Sequence, residues 1–216
     1  MMETELLAIF DESHNHLGSA SRAEVHRKGL WHETFHCWFI SNENGTDYIH
    51  FQIRSEQKKD FPSLLDITAA GHLLAHETIY DGIREIEEEL GIRVSFHDLV
   101  SLGVIKNCII QKGFIDKELS HVFLYQSKHA ISDYTLQPEE VSGMVKAEFA
   151  GFCELWLHDK QELLVEGFER NAKGERNPLH RMVCKHDFVP HEQAYFEGII
   201  HSITKYLSKR NRNPYW

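Results

Sequence analysis

Glu85, Glu88 and Glu89 stand at i, i+3 and i+4 in the run REIEEELGI, a spacing that brings three carboxylates onto one face of a helix. Like charges this close cost a few tenths of a kcal/mol per pair in an isolated helix, so the patch requires a positive partner. An all-oxygen cluster suits hard divalent cations, and a glycine-containing loop ahead of a helix suits phosphate groups. Here Ala70-Gly71-His72 leads into the segment, Glu77 follows, and Arg84 lies four residues before Glu88, where it can orient the carboxylates by an i,i+4 contact.

The helix that must carry this cluster is marked by Ile79, Ile83, Ile86 and Leu90. Their steps of four, three and four draw one apolar stripe, and Gly91 supplies a C-terminal stop. A solvated acidic helix would show the same stripe. The lead-in loop and the convergent carboxylates favour a site for cations and phosphates.

The chain has 216 residues, 42% of them hydrophobic and 11% aromatic, enough for one core with an extension. We expect residues 1–160 to form the main domain and residues 161–216 a helical C-terminal extension packed on it. A net charge of −10 argues against nucleic acid, which is held by clustered Lys and Arg. It suits a protein that recruits cations before an anionic substrate. No apolar run is long enough to span a membrane, and the acidic start MMETELLAIFDE is unlike a signal peptide. The expectation is a soluble, cytoplasmic protein with no membrane partner. Cys37, Cys108, Cys153 and Cys184 lack CxxC spacing and read as reduced, mostly buried thiols.

Along the chain, Glu5 to Asp11 reads as a strand, followed by a turn, a short returning strand, and a brief helix capped by Ser21. GLWHETFHCWFIS alternates as a strand covered on both sides, and Asn42 to Gly45 turns it into a partner strand. Ser101 to Gln111 and Glu118 to Gln126 read as two long strands around Lys112-Gly113. A further strand is expected near Met144 to Phe149, a helix through Cys153 to His158, irregular chain from Lys160 to Pro178, and a last amphipathic helix about His191 to Lys209. Strands on both sides of a central helix give an α/β (α+β) fold, a mixed sheet sandwiched between helices.

Gly71, Glu77 and the run Arg84, Glu85, Ile86, Glu88, Glu89, Gly91, Ile92 resemble the Nudix box, in which glycine, five residues, glutamate and seven residues precede Arg-Glu-apolar-any-Glu-Glu-any-Gly-apolar. Only six residues separate Glu77 from Arg84 here. One missing residue would turn a continuous helix by about 100° against its loop, which loosens the correspondence at Glu77. The flanks, from about Glu5 to His158, are similar to the isopentenyl diphosphate isomerase branch of that superfamily. VHRKGLWHETFHCWF corresponds to the stretch supplying metal-binding histidines, DFPSLLDITAAGH to the loop with the isomerase cysteine, and FIDKELSHVF to the strand with two acids.

The resemblance implies the Nudix fold and a hydrolase that cleaves a diphosphate linkage of a nucleoside diphosphate derivative or related organic diphosphate. Water would attack phosphorus with Mg²⁺ (or Mn²⁺) held by Glu85, Glu88, Glu89 and the Ala70 carbonyl, while Arg84 keeps the cluster in register. It places His32, His72 and Glu118 at further metal positions, with Asp116 beside Glu118 and His26 as an extra ligand. The cysteine position falls on Ala70, which has no proton to exchange. Isomerase-like chemistry is therefore the alternative, and a non-catalytic nucleotide sensor a second one. Glu139 and Glu140 are candidate supplementary acids. Arg54, Trp31, Phe61 and Phe114 are candidate substrate contacts, Trp38 and Phe35 could join them, and a homodimer contact is a default role for the C-terminal residues.

Overall fold

In the structure, a computed structural model describing residues 5–212 with side chains to residue 210, a hairpin of β1 (Leu6–Phe10) and β2 (His16–Ser21) leads into α1 (Arg22–Lys28). The Ser21 hydroxyl accepts from the Glu24 N–H at 3.3 Å, and Gly29 closes the helix with φ +64°, as the capping pattern predicts. Residues 1–4 and 213–216, the ends of the two expected segments, lie outside the described residues.

The long strand β3 (Trp31–Glu43) is the axis of the sheet. It pairs antiparallel with β4 (Thr46–Arg54) across the Asn44-Gly45 turn. β5 (Leu65–Asp66) pairs with β4, and β6 (Ala69–His72) with the first half of β3. The box helix is α2 (Arg84–Leu90). β7 (Leu99–Gln111) and β8 (Phe114–Gln126) form a long hairpin, with β8 running parallel to β3. β9 (Val141–Glu148), β10 (Leu163–Arg170) and β11 (Arg176–Val183) extend the other side of the sheet, with α3 (Phe149–Leu157) after β9 and α4 (Gln193–Arg212) last. One parallel pairing among antiparallel ones makes the sheet mixed, as expected.

Alternation along β3 sends successive side chains to opposite faces. Phe35, Cys37 and Phe39 join Ile86 and Leu90 of α2 in one core, whereas Trp38 and Ile40 join Phe152 of α3 and Tyr195, Phe196 and Ile199 of α4 in the other. Both cores are closed by aromatic contacts, among them Trp156 stacked on Phe196 at 3.7 Å. The strand is covered on both sides and the sheet lies between helices.

Three expectations change. The stretch from Lys160 to Pro178 is not irregular: Leu163, Val165 and Phe168 are buried against exposed or half-buried neighbours, a strand alternation partly hidden by the charged residues between them. Pro178 is tolerated because β11 lies at the edge of the sheet. The C-terminal segment therefore contributes two strands to the common sheet as well as a helix. Next, α3 starts at Phe149, four residues before the expected Cys153. Finally, only Cys37 is fully buried; Cys108, Cys153 and Cys184 are partly exposed, and all four are free thiols.

Candidate active site

The apolar stripe predicts a helix from Ile79, yet α2 begins at Arg84, after a 3₁₀ turn over Asp81–Ile83. The Asp81 carboxylate accepts from both the N–H and the hydroxyl of Thr78 at 2.8 Å. A Cβ on Gly82 would come within 2.7 Å of Phe35, so glycine lets this turn press on the sheet. The tighter turn absorbs the missing residue before the helix starts. Glu77 consequently reaches the cluster: Arg84 donates to it from Nε at 2.6 Å and Nη2 at 2.9 Å, and the Leu74 N–H donates to it at 2.8 Å.

Arg84 also donates from Nη1 to Glu85 at 2.6 Å and Glu88 at 3.1 Å, and from Nη2 to the His72 carbonyl at 3.2 Å. This is the positive partner that the carboxylates required. Glu85 lies over the backbone of Gly71, where an added Cβ would be 2.1 Å from the carboxyl carbon. Glu89 is buried and accepts from the Ala70 N–H at 3.1 Å and from Gln52 at 3.4 Å. Burial pushes the Glu85 carboxyl up to about 7, against the opposing pull of Arg84. Glu89 is raised well above the usual carboxylate range by burial and by Glu85, with Lys58 pulling it back. A buried carboxylate, Glu89, repelled by the largely buried Glu85 beside it, fits a cation. Glu88 is about half exposed (53% of its side chain), and Glu140, paired with Lys58, also presses on Glu89.

A second centre lies across β6. Gly71 faces α2, and His72, the next residue, points to the opposite face of the strand. There His72 meets His26 and His32, with ring centroids 5.1–5.3 Å apart. The Asp116 carboxylate stands 3.4 Å from His26 Nε2 and 3.3 Å from His32 Nε2. Nε2 of all three histidines and Oδ1 of Asp116 are buried without a hydrogen-bond partner. His32 Nδ1 is 3.1 Å from the Leu30 carbonyl, which can only accept. The proton is therefore on Nδ1, leaving the Nε2 lone pair aimed at the centre. Burial lowers the pKa of His32 and, more strongly, of His72, keeping both neutral. Four orphaned atoms of metal-binding type within 4.8 Å of one another fit a cation that accepts imidazole and carboxylate.

Glu118 borders this centre without joining it. Its Oε2 accepts from Asn107 at 3.1 Å and Ser120 at 3.4 Å and lies 3.5 Å from His36 Nε2. Asn107 continues the chain to His191 Nδ1 at 2.9 Å, and His191 Nε2 meets Asp66 Oδ1 at 3.1 Å. His191 and Tyr195, whose hydroxyl contacts His36 Nδ1 at 2.8 Å, come from the C-terminal segment. Sequence reasoning missed both; no local pattern sets a lone His apart among sixteen.

The candidate substrate contacts divide. Phe114 stacks on His26 at 4.7 Å and meets Phe61 edge-on at 6.4 Å, an aromatic wall beside the histidines. Trp31 lies under Lys106 and Lys117. Arg54 is engaged internally, donating to Asp66 at 2.7 Å and to the Asp60 and Phe61 carbonyls, so it anchors the loop that carries Phe61. Phe35 and Trp38 are buried in the two cores, which removes them as substrate contacts.

No protein-family model matches the chain. It is 39% identical over 202 residues to an uncharacterized Nudix hydrolase of Clostridium acetobutylicum, covering 94% of this chain and 98% of that protein. An isopentenyl-diphosphate Delta-isomerase 2 of Photorhabdus laumondii is 27% identical over 121 residues, 56% of this chain and 66% of the isomerase. A crystal structure from Deinococcus radiodurans shares the fold, with a TM-score of 0.50 at 19% identity over 68% of this chain and 85% of that one. The chain belongs to the Nudix hydrolase family. It is an enzyme of the pyrophosphohydrolase class, acting on diphosphate linkages.

Proposed function

We propose that the chain hydrolyses a nucleoside diphosphate derivative or a related organic diphosphate with Mg²⁺ or Mn²⁺ held by Glu85, Glu88, Glu89 and the Ala70 carbonyl. The observation that carries this is the seating of the largely buried Glu85 and the buried Glu89 against the backbone of Gly71 and Ala70, an arrangement that costs free energy unless a cation joins it. When bound, such ions neutralise a diphosphate and make water a better nucleophile at phosphorus. Arg84 fixes the positions of Glu77, Glu85 and Glu88. Burial holds the Glu89 carboxyl well above the usual carboxylate range and Glu88 is the most exposed of the set, so this pair takes the proton released as water attacks. The P–O bond to the leaving phosphate breaks, and two phosphate-terminated products form.

His26, His32, His72 and Asp116 would hold a second ion of borderline type, with Glu118 beside it and the Phe61–Phe114 wall bounding a hydrophobic or base-stacking part of the substrate. β10 and β11 of the C-terminal segment join the common sheet, which supports reading this segment as part of the same domain, with homodimer contact as a secondary role.

The histidine centre also supports a second reading, isomerisation of a prenyl diphosphate. That chemistry needs a proton donor and acceptor on two sides of a carbon skeleton, and Ala70 offers neither. Cys37 faces the core on the α2 side, where burial pushes its thiol pKa well up.

The test is to incubate the protein with Mg²⁺ and a panel of nucleoside diphosphate derivatives, nucleoside triphosphates, thiamine diphosphate and prenyl diphosphates, and to identify products by mass. Phosphate-bearing fragments that vanish in Glu85→Gln are expected. Unchanged turnover in that variant would remove the cluster from the chemistry, a mass-neutral product would favour isomerisation, and binding without turnover would mark a sensor.

A further inference from the structure

His14 Nε2 and His121 Nε2 both lie 2.8 Å from the same oxygen, Oε1 of Glu33. A carboxylate has two oxygens and about four lone-pair sites, so two imidazoles serving only as its hydrogen-bond donors have room to spread. Here they converge instead, and the three ligand-type atoms lie within 4.8 Å of one another. The three residues come from separate elements: His14 from the β1–β2 turn, Glu33 from β3 and His121 from β8.

The cluster is distinct from the histidine centre. Glu33 follows His32 on β3 and so faces the opposite side of the sheet, together with Phe35 and its register partner His121. Its surroundings differ too. The side chains of Glu33, His121 and His14 are 21%, 14% and 35% exposed, which leaves one side open to water.

His14 is held in place at a conformational cost. It has φ +65°, a left-handed conformation that costs about 1 kcal/mol in a residue with a side chain. The Asp11 carboxylate fixes the turn by accepting from the N–H groups of Ser13 and Asn15, each at 2.8 Å. Phe10 packs edge-on against the His14 ring at 5.0 Å.

We propose that His14, Glu33 and His121 form a separate transition-metal site, of zinc type, that ties the β1–β2 turn to β3 and β8. Two imidazoles and one carboxylate with an open position form a ligand set suited to Zn²⁺ and too rich in nitrogen for Mg²⁺. On binding, each neutral imidazole would switch tautomer, its Nε2 proton passing to solvent and solvent supplying one to Nδ1, so that the freed Nε2 lone pair turns to the ion. Glu33 Oε1 would then contact the ion in place of the two protons.

The full chain, stripped of metal with a chelator, is dialysed against Zn²⁺ alone, and bound zinc per chain is counted by mass spectrometry. Asparagine tolerates positive φ, so His14→Asn removes one ligand while keeping the turn. His121→Gln removes a second ligand from inside the sheet. Each variant is expected to bind one Zn²⁺ fewer than the parent chain, and its melting temperature to rise less on adding Zn²⁺, while Mg²⁺-supported hydrolysis stays at the parental rate. Should either variant fold poorly by circular dichroism, the other gives the count. Equal zinc counts and equal thermal shifts in parent and variants would overturn the proposal, as would a parent chain that binds no zinc.

Discussion

Arg84 grips both oxygens of Glu77 through Nε and Nη2 while its third nitrogen reaches Glu85 and Glu88. One guanidinium thus connects the loop glutamate to the helical ones, across a linker one residue shorter than the box pattern. It pulls so strongly on these acids, and they on it, that its own pKa rises above the ordinary arginine range.

Replacing this fork with a point charge should uncouple loop and helix. Arg84→Lys keeps the charge but loses the planar, two-pronged contact, so kcat/KM for the best diphosphate substrate should fall by about tenfold to a hundredfold. Glu77→Gln should give a loss of similar size. Because both act on one contact, the double variant is expected to lose little more than either single one. Fully additive losses would show that Glu77 and Arg84 act separately.

Gly71→Ala tests the seat of Glu85. The new Cβ would fall 2.1 Å from the Glu85 carboxyl carbon, well inside contact distance, and the flexible carboxylate can swing away more cheaply than the strand can move. Activity should drop by about a hundredfold or more. The melting temperature should change little, since Ala tolerates the backbone here. A stable variant with parental activity would mean that Glu85 is not needed where it sits.

Much of this was legible in the sequence, and the reasons are local. The carboxylate helix, its arginine and the glycine before it follow from spacing along one element. The alternation of Phe35, Cys37 and Phe39 against Trp38 and Ile40 shows a strand covered twice. What escaped depends on contacts between residues far apart in sequence, 37 apart for Gln52 and Glu89 and 159 apart for His36 and Tyr195. Nothing near His191 or Tyr195 indicates that they close on Asp66 and His36, and the 3₁₀ turn that rescued Glu77 depends on Gly82 meeting Phe35 from another element. Gln52 and Lys58, which bond or attract Glu89 from β4 and the loop after it, were equally hidden. Their partners are set by sheet order rather than by sequence neighbours.

His191→Ala should reveal the C-terminal contribution. Asn107 Oδ1 accepts from the Glu192 N–H and Nδ2 donates to Glu118, so the amide orientation is fixed and His191 Nδ1 must be an acceptor. The Nε2 proton then goes to Asp66, whose pKa is held low because His191 and Arg54 outweigh its burial. Removing the imidazole leaves Asn107 and Asp66 each short of a partner at a buried site, at a cost of about 1–3 kcal/mol. The denaturation midpoint should shift accordingly, and hydrolysis should weaken as Glu118 loses its support. An unchanged midpoint would show that water replaces the ring without loss.

His50 governs an acid limit away from the candidate metal ligands. It is buried between β3 and β9, with Ser41 at 2.8 Å from Nε2 and the Tyr134 hydroxyl at 3.3 Å from Nδ1. Burial, aided by the charge of Lys146, lowers its pKa from 6.5 to about 3. Between those values the unfolded chain binds a proton at this position and the folded chain does not. The resulting stability is fully present above pH 6.5 and is lost as pH falls through the window toward pH 3. His50→Gln keeps polar atoms for Ser41 and Tyr134 but cannot titrate. Its unfolding free energy, measured by urea denaturation at several pH values, should therefore decline less steeply with acidification than the parent's, by a few kcal/mol in total at most. Parallel pH profiles for the two proteins would place the acid sensitivity in other groups.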